Sequence, residues 1–267
     1  MSAKRRPRRF FSVCPLPPPD QTFVLPAAEA RHLLKVIRLK TGDTCLVTDG
    51  KGREVTARLE TQTPEGGLLL RVEEERLRPG VSALEIHVYA ALAKGDKFDF
   101  LVQKAQELGV RVMHPLYTER TLVRLEGKKE SAKLERWHKI AAEAAKQSGN
   151  LDLLEVRPVL ALKQAPLALP RGAAVAVFHP DPEACSFRGW LESRVRKEVP
   201  EGQHLFFGPE GGFAPAEIKK LREEARLNGL DFSLVSLGSS ILRVETAVVG
   251  VLAALHLMTQ NAEGSRE

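Results

Sequence analysis

The sequence predicts an α/β protein with a smaller β-rich part in front of it, and three observations carry that expectation. After residue 85, short apolar runs alternate with segments whose apolar residues recur at helical spacing. Two of those runs, Leu205-Phe206-Phe207 and Phe232-Ser233-Leu234-Val235-Ser236, lead through a glycine-bearing turn into a helix-like stretch. Between Thr44 and Val72 the pattern differs: short strands, with turns at Asp49-Gly50 and Glu65-Gly66-Gly67. With 267 residues, 43% of them apolar, the chain can bury one large core or two modest ones.

In chain order, a basic arm and a proline-rich approach fill residues 1–20. Ala27 to Ile37 reads as a helix, with Ala30, Leu33, Leu34 and Ile37 on one face. Cys45-Leu46-Val47, Val55 to Leu59 and Leu68 to Val72 are the strands of the β-rich part. The charged stretch from Glu73 to Val81 holds a Pro-Gly pair and is the expected boundary, giving domains 1–75 and 76–267. Beyond it, Ile86 to Leu92 is a buried strand and Asp96 to Leu108 a helix with Phe98, Leu101, Val102, Ala105 and Leu108 in register. Val112 to Tyr117 is a strand, Ser131 to Gln147 a helix, Ala174 to Phe178 a strand and Cys185 to Arg196 a helix. Two further helices follow the glycine turns, Ala216 to Leu227 and Arg243 to Met258. The last is apolar nearly all round, so it needs cover on more than one side, from its own domain or from a second subunit.

Formal net charge is +6, and Lys4, Arg5, Arg6, Arg8 and Arg9 leave the rest of the chain nearly neutral. A basic arm on a neutral body suits a phosphate backbone, and a solvated terminus suits it equally. Cys14, Cys45 and Cys185 lack C-x-x-C spacing, so neither a zinc site nor a disulfide framework is expected; a reducing cytoplasm is. The most apolar segment, Ala247 to Met258, is too short for a membrane span of about 20 residues.

The turn Gly208-Pro209-Glu210-Gly211-Gly212-Phe213 is neither a P-loop nor G-x-G-x-x-G, so phosphate is not the indicated ligand. One such turn alone is an ordinary strand–helix connection. A second, Leu237-Gly238-Ser239-Ser240-Ile241-Leu242, could line one pocket with it, because open backbone N–H groups gather where strands end in an α/β sheet. Glu210 faces that pocket or accepts hydrogen bonds from its own turn. Arg243 opens a helix, where the dipole disfavours a cation, so it serves something else: RNA phosphate, another subunit or a reacting group. Glu245 and Thr246 suit a helix start and need no function. Lys94, Lys97 and Lys104 form a polar stripe, and Arg136, Lys139 and Lys146 line the exposed side of the next helix. His179-Pro180-Asp181-Pro182 has no metal spacing and reads as a loop after a strand.

Gly208 to Phe213, followed by Leu237-Gly238 and Ile241-Leu242-Arg243-Val244-Glu245-Thr246-Ala247, resembles the small-subunit rRNA uridine-N3 methyltransferases, the RsmE family of the SPOUT superfamily. Further blocks match in family order: Arg8-Arg9-Phe10-Phe11, His32 to Asp43, Lys94-Gly95-Asp96-Lys97, Gln103 to Gly109 and Ala144-Ala145-Lys146-Gln147-Ser148-Gly149. Asn150 stands where the family commonly has Arg, and Val244 replaces a small residue or Thr. The resemblance implies a PUA-like barrel, a SPOUT domain with a trefoil knot, a homodimer, 16S rRNA as partner and S-adenosyl-L-methionine as cofactor, with no metal. The cofactor would lie against Leu205, Phe207, Gly208, Pro209, Glu210, Gly211, Gly212, Ser236, Leu237, Gly238, Ile241, Leu242 and Ala247. Arg8, Arg9, Arg38, Lys94, Lys97 and Lys146 would meet RNA, and Arg243 with Glu210 would serve catalysis. A non-catalytic ribosome-assembly protein and a methyltransferase of another RNA position are the alternatives.

Overall fold

The computed structural model describes residues 9–11, 15–32, 34, 39–77, 85–165, 169–195 and 202–263. The chain divides into two compact units, Met1–Val81 with Ala145–Leu153, and Ser82–Ala144 with Leu154–Glu267.

The first unit is built on a five-stranded sheet in the order β1-β3-β4-β5-β2, with β1 at Arg9–Phe11, β2 at Thr22–Leu25, β3 at Thr44–Thr48, β4 at Arg53–Gln62 and β5 at Leu68–Leu77. Alternate residues point inward, as the period of a half-buried strand requires: Val55, Ala57 and Leu59 on β4, Leu68, Leu70 and Val72 on β5. With Phe10, Leu25, Cys45 and Val47 they form one core, where each large aliphatic side chain contributes about 1.5–3 kcal/mol. The strand β5 continues to Leu77, so the expected boundary after residue 75 falls inside it. Helix α1 covers Ala27–His32; the remainder of the expected helix, residues 33–37, includes only Leu34 among the described residues.

Two family blocks that are far apart in sequence meet in this unit. Arg9 pairs with Glu54, a carboxylate with no solvent exposure, and the guanidinium lies on Gly149. A Cβ at Gly149 would stand 2.7 Å from Nη1 of Arg9, and its φ of +82° already excludes most side chains. The glycine of Lys146-Gln147-Ser148-Gly149 is therefore the floor under Arg9. The same segment is tied down by the Leu153 N–H, which donates to the Gly50 carbonyl at 3.0 Å.

The second unit carries a parallel sheet of eight described strands. In chain order they are β6 at Ile86–Ala91, β7 at Val112–Tyr117, β8 at Glu155–Val156, β9 at Leu160–Ala161, β10 at Ala174–Phe178, β11 at Cys185–Ser186, β12 at Gln203–Phe207 and β13 at Asp231–Ser236. The order is β11-β13-β10-β12-β6-β7-β8, with β9 also on β7. The helices are α2 at Lys97–Glu107, α3 at Lys128–Ser148, α4 at Phe187–Val195, α5 at Pro215–Leu227 and α6 at Val244–Glu263. Cys185 and Ser186, expected in a helix, pair with Val235 and Ser236 as an edge strand instead, and α4 starts only at Phe187. The central strands are buried end to end, which accounts for their unbroken apolar runs.

Helix α2 is fixed to α3 by a buried carboxylate. Asp99 accepts from Nε1 of Trp137 at 2.8 Å and from Nε of Arg136 at 2.6 Å, so Arg136 is not a free basic residue of an exposed face. Helix α6 buries Val248, Val251, Leu252 and Leu255 and packs on α2, α4 and β12. Gly250 on another side is exposed, and so is Leu257. No described helix is long and apolar enough to cross a membrane.

Candidate functional site

The two glycine turns leave β12 and β13, which flank β10 on either side, and β10 ends level with both. A parallel sheet opens its ligand crevice at the carboxyl ends of its strands. Here that crevice is a cleft of about 400 Å³. Of the expected cofactor residues, Phe207, Gly208, Pro209, Glu210, Gly211, Gly212, Ser236, Leu237, Gly238, Ile241, Leu242 and Ala247 line it. Leu205 does not: it lies inside the sheet with no exposed surface.

Local sequence explains the shape of the first turn. Pro209 offers its carbonyl to the Gly212 N–H at 2.8 Å, and Phe213 buries its ring behind the turn. Gly212 has φ +66°, and a Cβ there would come within 3.5 Å of the His179 ring. Helix α5 then starts with Pro215 in its first turn, where a missing N–H costs nothing. Glu217 closes that helix start by accepting from the Ala214 N–H at 2.9 Å, and it also accepts from the Glu119 N–H at 2.8 Å. That second bond holds the segment carrying Arg120 against the turn.

Five wall residues escaped the sequence reading: Arg120, Phe178, His179, Pro180 and Val244. Nη1 of Arg120 donates to the Gly211 carbonyl at 2.6 Å, and Phe178 and His179 form the side made by the end of β10. His179 directly follows β10, and only the strand order puts that strand end between the two turn-bearing strands. Burial holds the His179 imidazole below its ordinary pKa, with Asp181 opposing and Arg120 reinforcing the shift. Its Nδ1 is buried without a hydrogen-bond partner among the described residues.

The charged candidates are placed unequally. Arg243 sits just ahead of α6, exposed, between Leu242 and Val244 of the cleft wall, and its guanidinium has no partner among the described residues. Glu210 accepts from Nζ of Lys97 at 2.8 Å, and that bond, with the turn's own backbone, holds its carboxyl below the usual range. It is thus a weaker proton acceptor than an ordinary glutamate. Lys97 lies 3.8 Å from Glu245 as well, and its ammonium is held above the usual lysine value by Glu210 first. Of the RNA candidates, Lys94 is exposed near Glu210, Lys97 is engaged in these pairs, and Arg9 is engaged with Glu54. Lys146 is half-buried at the end of α3 in the first unit. Arg8 and Arg38 lie outside the described residues. No group of three or more His, Cys, Asp or Glu is arranged to hold a metal among the described residues.

Comparison with known proteins defines the class first. Residues 81–256 match the family model of the RNA methyltransferase domain, and residues 25–68 that of the RNA methyltransferase PUA domain. The ribosomal RNA small subunit methyltransferase E of Bacillus subtilis is 31% identical over 92% of this chain and 93% of its own length. That of Synechocystis is 31% identical over 91% of this chain and 75% of its own. The crystal structure of the Neisseria gonorrhoeae ribosomal RNA small subunit methyltransferase E, bound to S-adenosyl methionine, superposes with a TM-score of 0.80. It is 28% identical and covers 95% of this chain and 98% of that one. The chain belongs to the ribosomal RNA small subunit methyltransferase E family.

Proposed function

We propose that this protein transfers the methyl group of S-adenosyl-L-methionine to N3 of a uridine in 16S rRNA, in the cytoplasm and as a homodimer. The observation that carries the reading is the cleft, where glycine turns on the two strands that flank β10 face one cavity in a chain of this family. S-adenosyl-L-methionine fits the cleft on chemical grounds. Phe178, Phe207, Val244 and Ala247 offer apolar walls to an adenine and a ribose. Arg120 and Glu210 offer opposite charges to a carboxylate and an amino group, and Nδ1 of His179 lacks a partner among the described residues.

The bound sulfonium supplies an already activated methyl group, so the protein's task is placement of the base in line with it. Uridine N3 carries a proton at neutral pH, which passes to water as the N3–methyl bond forms and the methyl–sulfur bond breaks, and a site that favours the anion speeds attack. Arg243, exposed at the lip of the cleft, is the cation for the O2 or O4 edge of the base. Glu210, kept ionised by Lys97, serves the cofactor side better than proton transfer. The SPOUT trefoil knot goes with this reading. Its support is that β13, last in sequence, lies between β11 and β10 rather than at an edge. So does an RNA-binding role for the N-terminal domain.

Calorimetry with S-adenosyl-L-methionine and its demethylated product should show one site per chain. Mass spectrometry of 16S rRNA nucleosides should show 3-methyluridine in cells with the protein and its loss without it. Absence of heat with either ligand, or an unchanged nucleoside profile, would sink the reading.

A further inference from the structure

Three sequence blocks that the cleft alone does not connect meet at one ammonium. Lys97 begins α2, Glu210 is in the turn after β12, and Glu245 is in the first turn of α6. Nζ of Lys97 stands 2.8 Å from Oε1 of Glu210 and 3.8 Å from Oε1 of Glu245. Glu210 belongs to the glycine turn that lines the cleft, and Glu245 directly follows Val244, another residue of the cleft wall. Like charges on two such segments would push them apart; one cation between them reverses the sign. Helix α2 is itself immobilised, because Asp99, two residues along, is bonded to Trp137 and Arg136 of α3. Lys97 is therefore a cation on a rigid element, and the segments it joins are loop and helix terminus.

We propose that Lys97 is a positioning residue for methyl transfer, which ties the Gly208–Phe213 turn to the first turn of α6 and so sets Arg243 against the cofactor wall. It is not a phosphate contact, since its charge is already answered by two carboxylates. This rests on the function proposed above, but the tie itself is a property of the protein without ligand and is testable on its own.

Lys97→Met and Lys97→Arg are compared with the wild type by amide hydrogen exchange, calorimetry with S-adenosyl-L-methionine, RNA affinity and turnover at saturating substrates. In Lys97→Met without ligand, exchange in residues 208–213 and 243–248 should quicken about tenfold while the strands stay protected. Its cofactor affinity and turnover should each fall about tenfold, with RNA affinity within about twofold of wild type. Lys97→Arg, which keeps the charge, should restore most of each. Adding Glu210→Gln to Lys97→Met should cost little more, since both remove the same interaction. Unchanged exchange in Lys97→Met, or an RNA affinity that falls as far as turnover does, would overturn the proposal. A wild-type protein that binds no S-adenosyl-L-methionine while its exchange pattern behaves as stated would instead overturn the functional reading and leave the tie standing.

Discussion

At the scale of single residues, the structure separates cations that are spent from cations that are available. Arg9 is bound to Glu54 and Lys97 to Glu210, whereas Arg243 stands exposed with no partner among the described residues. A cation at a helix start gains nothing from the dipole, so its placement there has to be explained by what it meets. Arg243→Ala is expected to lower turnover by about 100-fold or more, the scale seen when one donor to a developing anion is removed, with RNA and cofactor affinity close to wild type. Single-turnover kinetics with bound RNA measures this; normal turnover in the variant would remove Arg243 from catalysis. Glu210 illustrates the opposite case. Its carboxylate is in the right turn, yet the lysine beside it makes it a poor base.

At the scale of elements, a ladder of rings crosses the sheet from β7 through β6 to β12. Tyr89 of β6 stacks on His114 of β7 at 4.2 Å and on Phe206 of β12 at 4.3 Å, and His87 stacks on His204 at 4.5 Å. Burial first, then the neighbouring His87, His204 and Arg157, depress the His114 pKa to about 3. His87 is lowered too, chiefly by burial and against the pull of Glu85. A histidine depressed in the folded state binds its proton more readily when unfolded. Its contribution is thus complete above the ordinary value of about 6.5 and is lost as pH falls toward 3. Urea unfolding should show stability declining from about pH 6.5 to 4, and His114→Phe, which keeps a stacking ring and removes the proton site, should flatten that decline. An identical slope in the variant would mean that other groups set the acid limit.

At the scale of the whole molecule, α6 leaves part of its surface bare. Gly250 is exposed, and Leu257 retains 61% of its surface, on a helix whose other side is core. A second copy of the chain is the occupant that the proposed homodimer would place there. Sedimentation at micromolar concentration should give a dimer, and Leu257→Glu should give a folded monomer, because a charge is costly in an apolar interface but harmless on a free surface. A wild-type monomer would contradict the assembly. Leu252, on the same helix, is a poor probe of this question: it is fully buried within its own chain, so a charge there tests folding.

Much of this protein was decided locally and could be read that way. Period-two alternation located Leu68 to Val72 as a strand, and helical spacing located α2. The two glycine turns were recognisable as a pair, because a turn's conformation is dictated by the few residues in it. Two-residue strands such as β8, β9 and β11 are too short to show any period, which is why Cys185 and Ser186 read as helix. Only the tertiary structure decided which charges find partners. Arg9 and Glu54 are 45 residues apart and Lys97 and Glu210 are 113 apart, and periodicity reports which way a side chain points, never what waits there. For the same reason Arg120 and His179 became wall residues only when separate strand ends were brought to one edge of the sheet.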